Sequence, residues 1–265
     1  MKIKFKKFLK FINKKIFFNV LTKLYERFYI NFFLKNFFLL NINKKISHKN
    51  IHYINNSKNN LSLLCEKYGS DKGYLDINKS TPYGWKAHSY SNFYYNMFDH
   101  YKDKIKLIFE CGIGTNNLNF PCNMSLNGKP GASLRVWCDY FINSQVYGAD
   151  IDKNSLFKEN RIETFYVNQL DSDSIEKMWN DINKIDFDII IDDGLHTYEA
   201  AITLFLNSFD KLKKDGIYII EDINFIYIDK IYKQLSSYNP ELIILNDNLN
   251  KNKSNDNNLV LIRKY

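Results

Sequence analysis

Cysteine is scarce in this 265-residue chain. There are four, Cys65, Cys111, Cys122 and Cys138, with no C-x-x-C pair and no histidine cluster near them. That argues against a disulfide framework and a structural zinc site, and reads as reduced, mostly buried thiols of a cytosolic protein. Long uncharged apolar runs are missing from the N-terminal segment, where lysine interrupts every run well short of the about 18 residues a membrane span needs. No small-residue cleavage site follows that segment, which argues against a cleavable signal. Acids are nearly absent there: residues 1–60 hold 14 of the 37 Lys and Arg but only one acid, Glu26.

The net charge of +8 therefore belongs to a tail. Residues 1–60 carry +13, and the remaining 205 carry 23 bases against 28 acids. An acidic body is a poor nucleic-acid binder, so no nucleic-acid partner is expected. Within the tail, Phe5, Phe8, Ile12 and Ile16 recur at helical spacing with Lys6, Lys7, Lys10 and Lys14 between them. This basic amphipathic pattern predicts a helical extension. Three readings stand: it packs on the domain or a second subunit, it makes peripheral contact with an anionic membrane through residues 1–40, at the inner face, or it is disordered. Residues 41–60 are polar and read as a linker, leaving 61–265 as the main domain.

From Lys106 onward short apolar runs alternate with helical patterns. Strands are expected at Leu107–Glu110, Val146–Asp150, Thr164–Val167, Phe187–Ile191 and Gly216–Ile220, followed by an antiparallel pair at Glu241–Leu245 and Leu259–Arg263. Helices are expected at Leu134–Phe141, Ser174–Asn183 and Tyr198–Leu212. The alternation predicts an α/β fold with a doubly wound, mostly parallel, seven-stranded sheet, whose ligands bind beyond the carboxyl ends of the strands.

The first of these strands ends in Glu110-Cys111-Gly112-Ile113-Gly114-Thr115. Two glycines let backbone approach a ligand closely. The third glycine of the dinucleotide fingerprint is missing, because position 117 is Asn, so a pyrophosphate cofactor is not favoured. Asp150, before Ile151 at the second strand end, is placed to accept ribose hydroxyls, or alternatively to cap a helix. Asn168 and Gln169 offer amides to an adenine edge. Residues 116–131 form a turn-rich insertion beside this loop, and Ser133 is a candidate helix cap.

The fourth strand runs into Asp192-Asp193-Gly194-Leu195-His196 and the fifth into Glu221-Asp222. Several carboxylates on one rim call for a cation, and hard oxygen donors suit Mg²⁺, Mn²⁺ or Ca²⁺. Such an ion lowers the pKa of a bound hydroxyl, and His196 titrates near neutrality and is placed to take the proton. Bland roles remain for each: helix caps for Asp192 and Asp193, a solvated first-turn position for His196, a charged loop for Glu221-Asp222.

These motifs, together with G-A-S-L-R-V-W at 131–137 and Tyr68-Gly69-Ser70-Asp71-Lys72-Gly73 upstream, resemble the metal-dependent sugar O-methyltransferases of macrolide biosynthesis, of which the mycinamicin enzymes are best known. They are also similar to methyltransferases encoded with bacterial capsule genes, including those acting on capsular phosphoramidate. The resemblance spans roughly residues 62–225. It implies a Rossmann-like class I fold, S-adenosylmethionine and a divalent metal such as Mg²⁺, and a sugar, glycan or small-molecule hydroxyl as acceptor. It further implies Asp193, Glu221 and Asp222 as metal ligands, His196 as general base, and Glu110, Gly112, Gly114, Thr115, Asp150, Ile151 and Asp192 at the cofactor. Lys72, His88 and Tyr90 fall near cofactor or substrate, and enzymes of this kind often form homo-oligomers. Two departures stand out: Leu195 replaces a common Ser, and Asn168 a common Asp, which puts the adenine contact there in doubt. The alternatives are a metal-free RNA or small-molecule methyltransferase and a non-catalytic glycan-associated protein.

Overall fold

A computed structural model describes residues 49–54, 58–73, 83, 85, 87–247 and 257–265, all within one compact unit that begins at His48. The basic amphipathic segment at 1–40 lies outside the described residues. Among those described, no helix is long and apolar enough to cross a membrane.

The expected sheet is present. Its parallel body consists of β2 (Leu107–Cys111), β3 (Gln145–Asp150), β5 (Ile162–Tyr166), β6 (Phe187–Asp192) and β7 (Leu212–Ile220). The antiparallel pair is β8 (Glu241–Asp247) and β9 (Asn258–Arg263), with β9 inserted between β7 and β8. Two strands were not expected. β1 (Lys49–Ile54) runs parallel to β8 on one edge, within the span read as a linker, and the two-residue β4 (Lys158–Glu159) pairs antiparallel with β5 on the other. The sheet thus has nine strands among the described residues, in the order β1-β8-β9-β7-β6-β2-β3-β5-β4, rather than seven. Both additions lie at sheet edges, and β4 is an exposed pair of charged residues, the kind of edge that discourages pairing with other chains.

Among the described residues six α-helices cover the sheet: α1 (Asn60–Tyr68), α2 (Tyr90–Phe98), α3 (Ala132–Tyr140), α4 (Ser172–Ile182), α5 (Tyr198–Leu206) and α6 (Phe225–Gln234). Their ends follow local chemistry. Asn59 and Ser62 form a reciprocal capping box on α1, which stops at Gly69 with φ 78°. Thr197, not Asp193, caps α5 by accepting from the N–H of Ala200. The helix expected to reach Leu212 stops at Leu206, and after a short 3₁₀ turn (Phe209–Lys211) Leu212 opens β7.

Strand alternation sends Ile189, Ile191, Ile217 and Ile219 to a core shared with Leu61, Tyr94, Leu134 and Trp137. The opposite face holds Phe109, its ring tilted at 47° and 4.6 Å from Trp179, with Phe187 against both. The order of strands reverses at β2 and β6, so the carboxyl ends of these two neighbours flank the crevice where open α/β sheets bind ligands.

At the far end of the same strands, Asp188 is buried. Its Oδ2 accepts the N–H groups of Lys106 at 2.7 Å and Leu107 at 2.9 Å, and it pairs with Lys213. Alanine at Asp188 strands two backbone donors at the start of β2. It is expected to lower unfolding free energy by about 2–3 kcal/mol in urea titration, with ligand binding at the opposite end preserved.

Candidate active site

Three strand ends build the site. The N–H of Asp193 donates to the Cys111 carbonyl at 2.9 Å, and the N–H of Glu221 to the Asp192 carbonyl at 2.9 Å, which continues the sheet one residue past β2, β6 and β7. The glycine turn sits directly against the acidic loop. Gly112 has φ 91°, and a Cβ there would lie 2.0 Å from the Asp193 carbonyl oxygen. Gly114 has φ 87°, and a Cβ there would lie 2.1 Å from Sδ of Met124 in the insertion. Only glycine permits both the conformation and the approach. The insertion folds back as expected: the Met124 N–H donates to the Thr115 carbonyl, and Asn116 Nδ2 donates to the carbonyls of Ser125 and Gly128.

Asp150 braces this turn. Its Oδ2 accepts from the N–H groups of Ile113 and Gly114, both at 3.1 Å, and its Oδ1 from that of Asp152. Burial raises its pKa against these backbone donors. Thr115 donates its hydroxyl to Asp152 at 2.5 Å. Ile151 is 42% exposed just beyond β3. Asn168 Oδ1 accepts from the Leu170 N–H in a local turn. Gln169 does not present its amide outward to an adenine: Nε2 donates to Asp192 Oδ1 at 2.6 Å, and Oε1 accepts the Leu195 N–H at 2.9 Å. It orients the acidic loop instead. Glu110 is fully buried, its carboxylate accepting from Ser133 Oγ at 2.6 Å and from the Trp137 indole N–H. Ser133, inside α3, is therefore an acid's partner and not a helix cap.

The acids of β6 and β7 meet, and they divide into two groups. Asp193, His196 and Asp222 each offer a donor atom, and these atoms lie within 4.8 Å of one another. His196 and Asp222 both hold left-handed backbone, at φ 56° and 51°, a strained state that concentrates at functional sites. Asp222 is fixed from the α2 side: Tyr90 donates to Oδ1 at 2.5 Å, and His88 Nε2 lies 3.3 Å from Oδ2, with the two rings stacked at 4.8 Å. Burial opposes the charge on Asp222, but His88 and His196 overcome it and hold its pKa below the usual carboxylate range.

Glu221, expected among the metal ligands, stands with the second group. One carboxylate oxygen accepts from the Lys72 ammonium and the other from the Tyr94 hydroxyl. Lys72 also contacts Asp193 Oδ2 at 2.7 Å and lies 3.6 Å from Glu110. Burial works against its charge, yet Asp193, Glu110 and Glu221 outweigh that and hold its pKa well above normal. Burial pushes Glu221 up to about 7, with Lys72 pulling the other way. Tyr94 and Trp137 belong to this machinery although their spacing marks them only as core aromatics. Cys122, exposed, makes a 3.5 Å contact with the Leu195 carbonyl, and Cys65, Cys111 and Cys138 are buried and free.

A doubly wound sheet with a glycine turn after its first body strand and an antiparallel strand beyond β7 is the Rossmann-like methyltransferase fold. In the solved structures it matches MycE methyltransferase of the mycinamycin biosynthetic pathway, in complex with Mg and SAH, with a TM-score of 0.55 and 22% identity over 79% of this chain and 55% of that one. The chain is also homologous to sugar O-methyltransferases. It is 32% identical over 167 residues to 8-demethyl-8-alpha-L-rhamnosyl tetracenomycin-C 2'-O-methyltransferase of Streptomyces olivaceus, covering 63% of this chain and 38% of that protein. It is 30% identical over 159 residues to mycinamicin VI 2''-O-methyltransferase of Micromonospora griseorubida, covering 60% and 37%. The chain thus spans under two-fifths of the length of the curated relatives it matches. No protein-family model matches it.

Asp192 supplies a pH signature. Burial raises its pKa from 3.8 to about 6. Between those values the folded chain holds a proton that the unfolded chain has released, so this contribution to stability falls as pH rises from about 4 to 6. Asparagine at position 192 is expected to flatten the decline, by on the order of 3 kcal/mol at full amplitude, in denaturation curves at stepped pH. An unchanged slope would place the titration elsewhere.

Proposed function

We propose that the chain is an S-adenosylmethionine-dependent, divalent-metal-assisted O-methyltransferase acting on a sugar hydroxyl. The observation that carries this reading is the convergence of Asp193, His196 and Asp222 one residue from the glycine turn at Gly112. Two carboxylates are a fitting pair of hard oxygen donors for Mg²⁺ or Mn²⁺, and the imidazole beside them is left to take a proton. Asp193 and Asp222 are the residues that would hold the ion. When bound it would acidify an acceptor hydroxyl, and the cofactor would supply a methyl group on a positively charged sulfur.

The chain's own residues orient and move the proton. Tyr90 and His88 fix the Asp222 carboxylate, Gln169 and the Cys111 carbonyl fix the Asp192-Asp193 loop, and Gly112 and Gly114 bring backbone up to the ligand. His196 takes the acceptor's proton on an imidazole nitrogen as the hydroxyl oxygen attacks the methyl carbon. The bound cofactor would release its methyl group with the bonding pair left on a then neutral sulfur, so no acid is required of the chain. Alignment of the two reactants supplies much of the rate. The insertion at 116–131 stands beside the turn as a wall of the acceptor space.

The names of the relatives carry rhamnosyl and mycinamicin acceptors, and this favours a sugar hydroxyl on a small-molecule glycoside. The capsular and phosphoramidate acceptors have no counterpart among them. The test is transfer of labelled methyl to a panel of glycosides with Mg²⁺ present. His196→Ala should reduce transfer by about 10²–10⁴-fold while S-adenosylhomocysteine binding by calorimetry stays within a few-fold of wild type. Full activity after exhaustive chelation would overturn the metal role.

A further inference from the structure

The acid cluster contains a cation of its own. Lys72 is 2% exposed. Its ammonium touches Asp193 and Glu221 and faces Glu110 at 3.6 Å. Among the described residues no other Lys or Arg pairs with these acids or with Asp222. The lysine is held from behind: its carbonyl accepts the N–H of Ser91 at 2.8 Å, and the neighbouring Asp71 carbonyl accepts that of His88 at 2.7 Å. A Cβ on Gly73 would lie 1.9 Å from Ser91 Oγ, so the loop is clamped onto the start of α2. The same helix carries Tyr94, which takes the remaining oxygen of Glu221.

We propose that Lys72 is a resident counter-cation of the site, which holds Asp193 and Glu221 together when no divalent ion is bound and competes with that ion for Asp193. The inference rests on the reading of Asp193 and Asp222 as the ion's ligands. Asp193 is the shared member. One of its oxygens lies 2.7 Å from the ammonium, and the residue also belongs to the donor trio. Two cations drawing on one carboxylate in a nearly dry site repel each other, so the ammonium weakens ion binding. In return, the buried acids never stand unpaired, and the chain folds before any ion arrives. Lys72 is in these terms a positioning residue that sets the ion's affinity.

The test uses the full chain stripped of metal and Mn²⁺ as the probe, with calorimetric titration and thermal melting as readouts. Lys72→Met keeps the side-chain length and removes the charge. It should bind Mn²⁺ about tenfold or more tightly than wild type, melt several degrees lower without the ion, and recover most of that loss with it. Lys72→Arg should leave Mn²⁺ affinity within about threefold. If Lys72→Met does not fold, the pair Glu221→Gln and Lys72→Met/Glu221→Gln repeats the comparison with one acid fewer, and the double variant should again bind Mn²⁺ more tightly. Equal or weaker Mn²⁺ binding on losing the lysine would overturn the proposal while leaving the ion site standing. A wild-type chain that binds no Mn²⁺ would remove the ion site itself.

Discussion

Four carboxylates, Glu110, Asp193, Glu221 and Asp222, converge at the carboxyl ends of neighbouring strands, and one ammonium, Lys72, is buried with them. Like charges this close in a low-dielectric site repel strongly unless matched. The architecture around them is a set of responses to that constraint. Ser133 and Trp137 neutralise the field at Glu110 with hydrogen bonds, Tyr94 does so at Glu221, and Tyr90 with His88 does so at Asp222. What remains unmatched is negative. On the proposed reading, a divalent cation and a sulfonium would be the ligands whose charges answer it.

The fold delivers this arrangement through the reversal of strand order at β2 and β6. β2 brings the glycine turn, β6 brings Asp193 and His196, and β7 brings Glu221 and Asp222. Packing at Gly112 makes turn and acidic loop one body, since the Asp193 carbonyl occupies the space of a side chain there. The helices contribute from one side only: α2 supplies the tyrosines and α3 supplies Trp137, so aromatic residues that fill the core also end in polar groups aimed at the acids.

Much of this was legible from residue patterns because buried parallel strands read as unbroken apolar runs, as in Phe187–Ile191, and because Gly112, Gly114 and the strand-end acids break those runs at the functional rim. The partition of the acids was not legible. Asp193 and Asp222 share a locus with His196, whereas Glu221 turns to Lys72 and Tyr94, a choice made by side-chain packing across more than a hundred residues of chain. Gln169 follows the same logic: its type suits an adenine, but its burial beside Asp192 commits both ends of the amide. β1 escaped notice because its short alternation of Ile51 and Tyr53 sits in a polar, Asn- and Lys-rich stretch, β4 because two charged residues carry no apolar period, and Tyr94 and Trp137 because helical spacing marks an aromatic as core without revealing where its polar tip points.

The central claim is that Asp193 and Asp222 hold one cation, with His196 beside it, next to the glycine turn at Gly112. Anomalous diffraction from crystals of the chain soaked with Mn²⁺ and S-adenosylhomocysteine tests it most directly. The account predicts a single strong Mn²⁺ peak within coordination distance of the Asp193 and Asp222 carboxylates, with the cofactor product lying over Gly112. A bound product with Mn²⁺ absent from those carboxylates, or seated elsewhere, would contradict it.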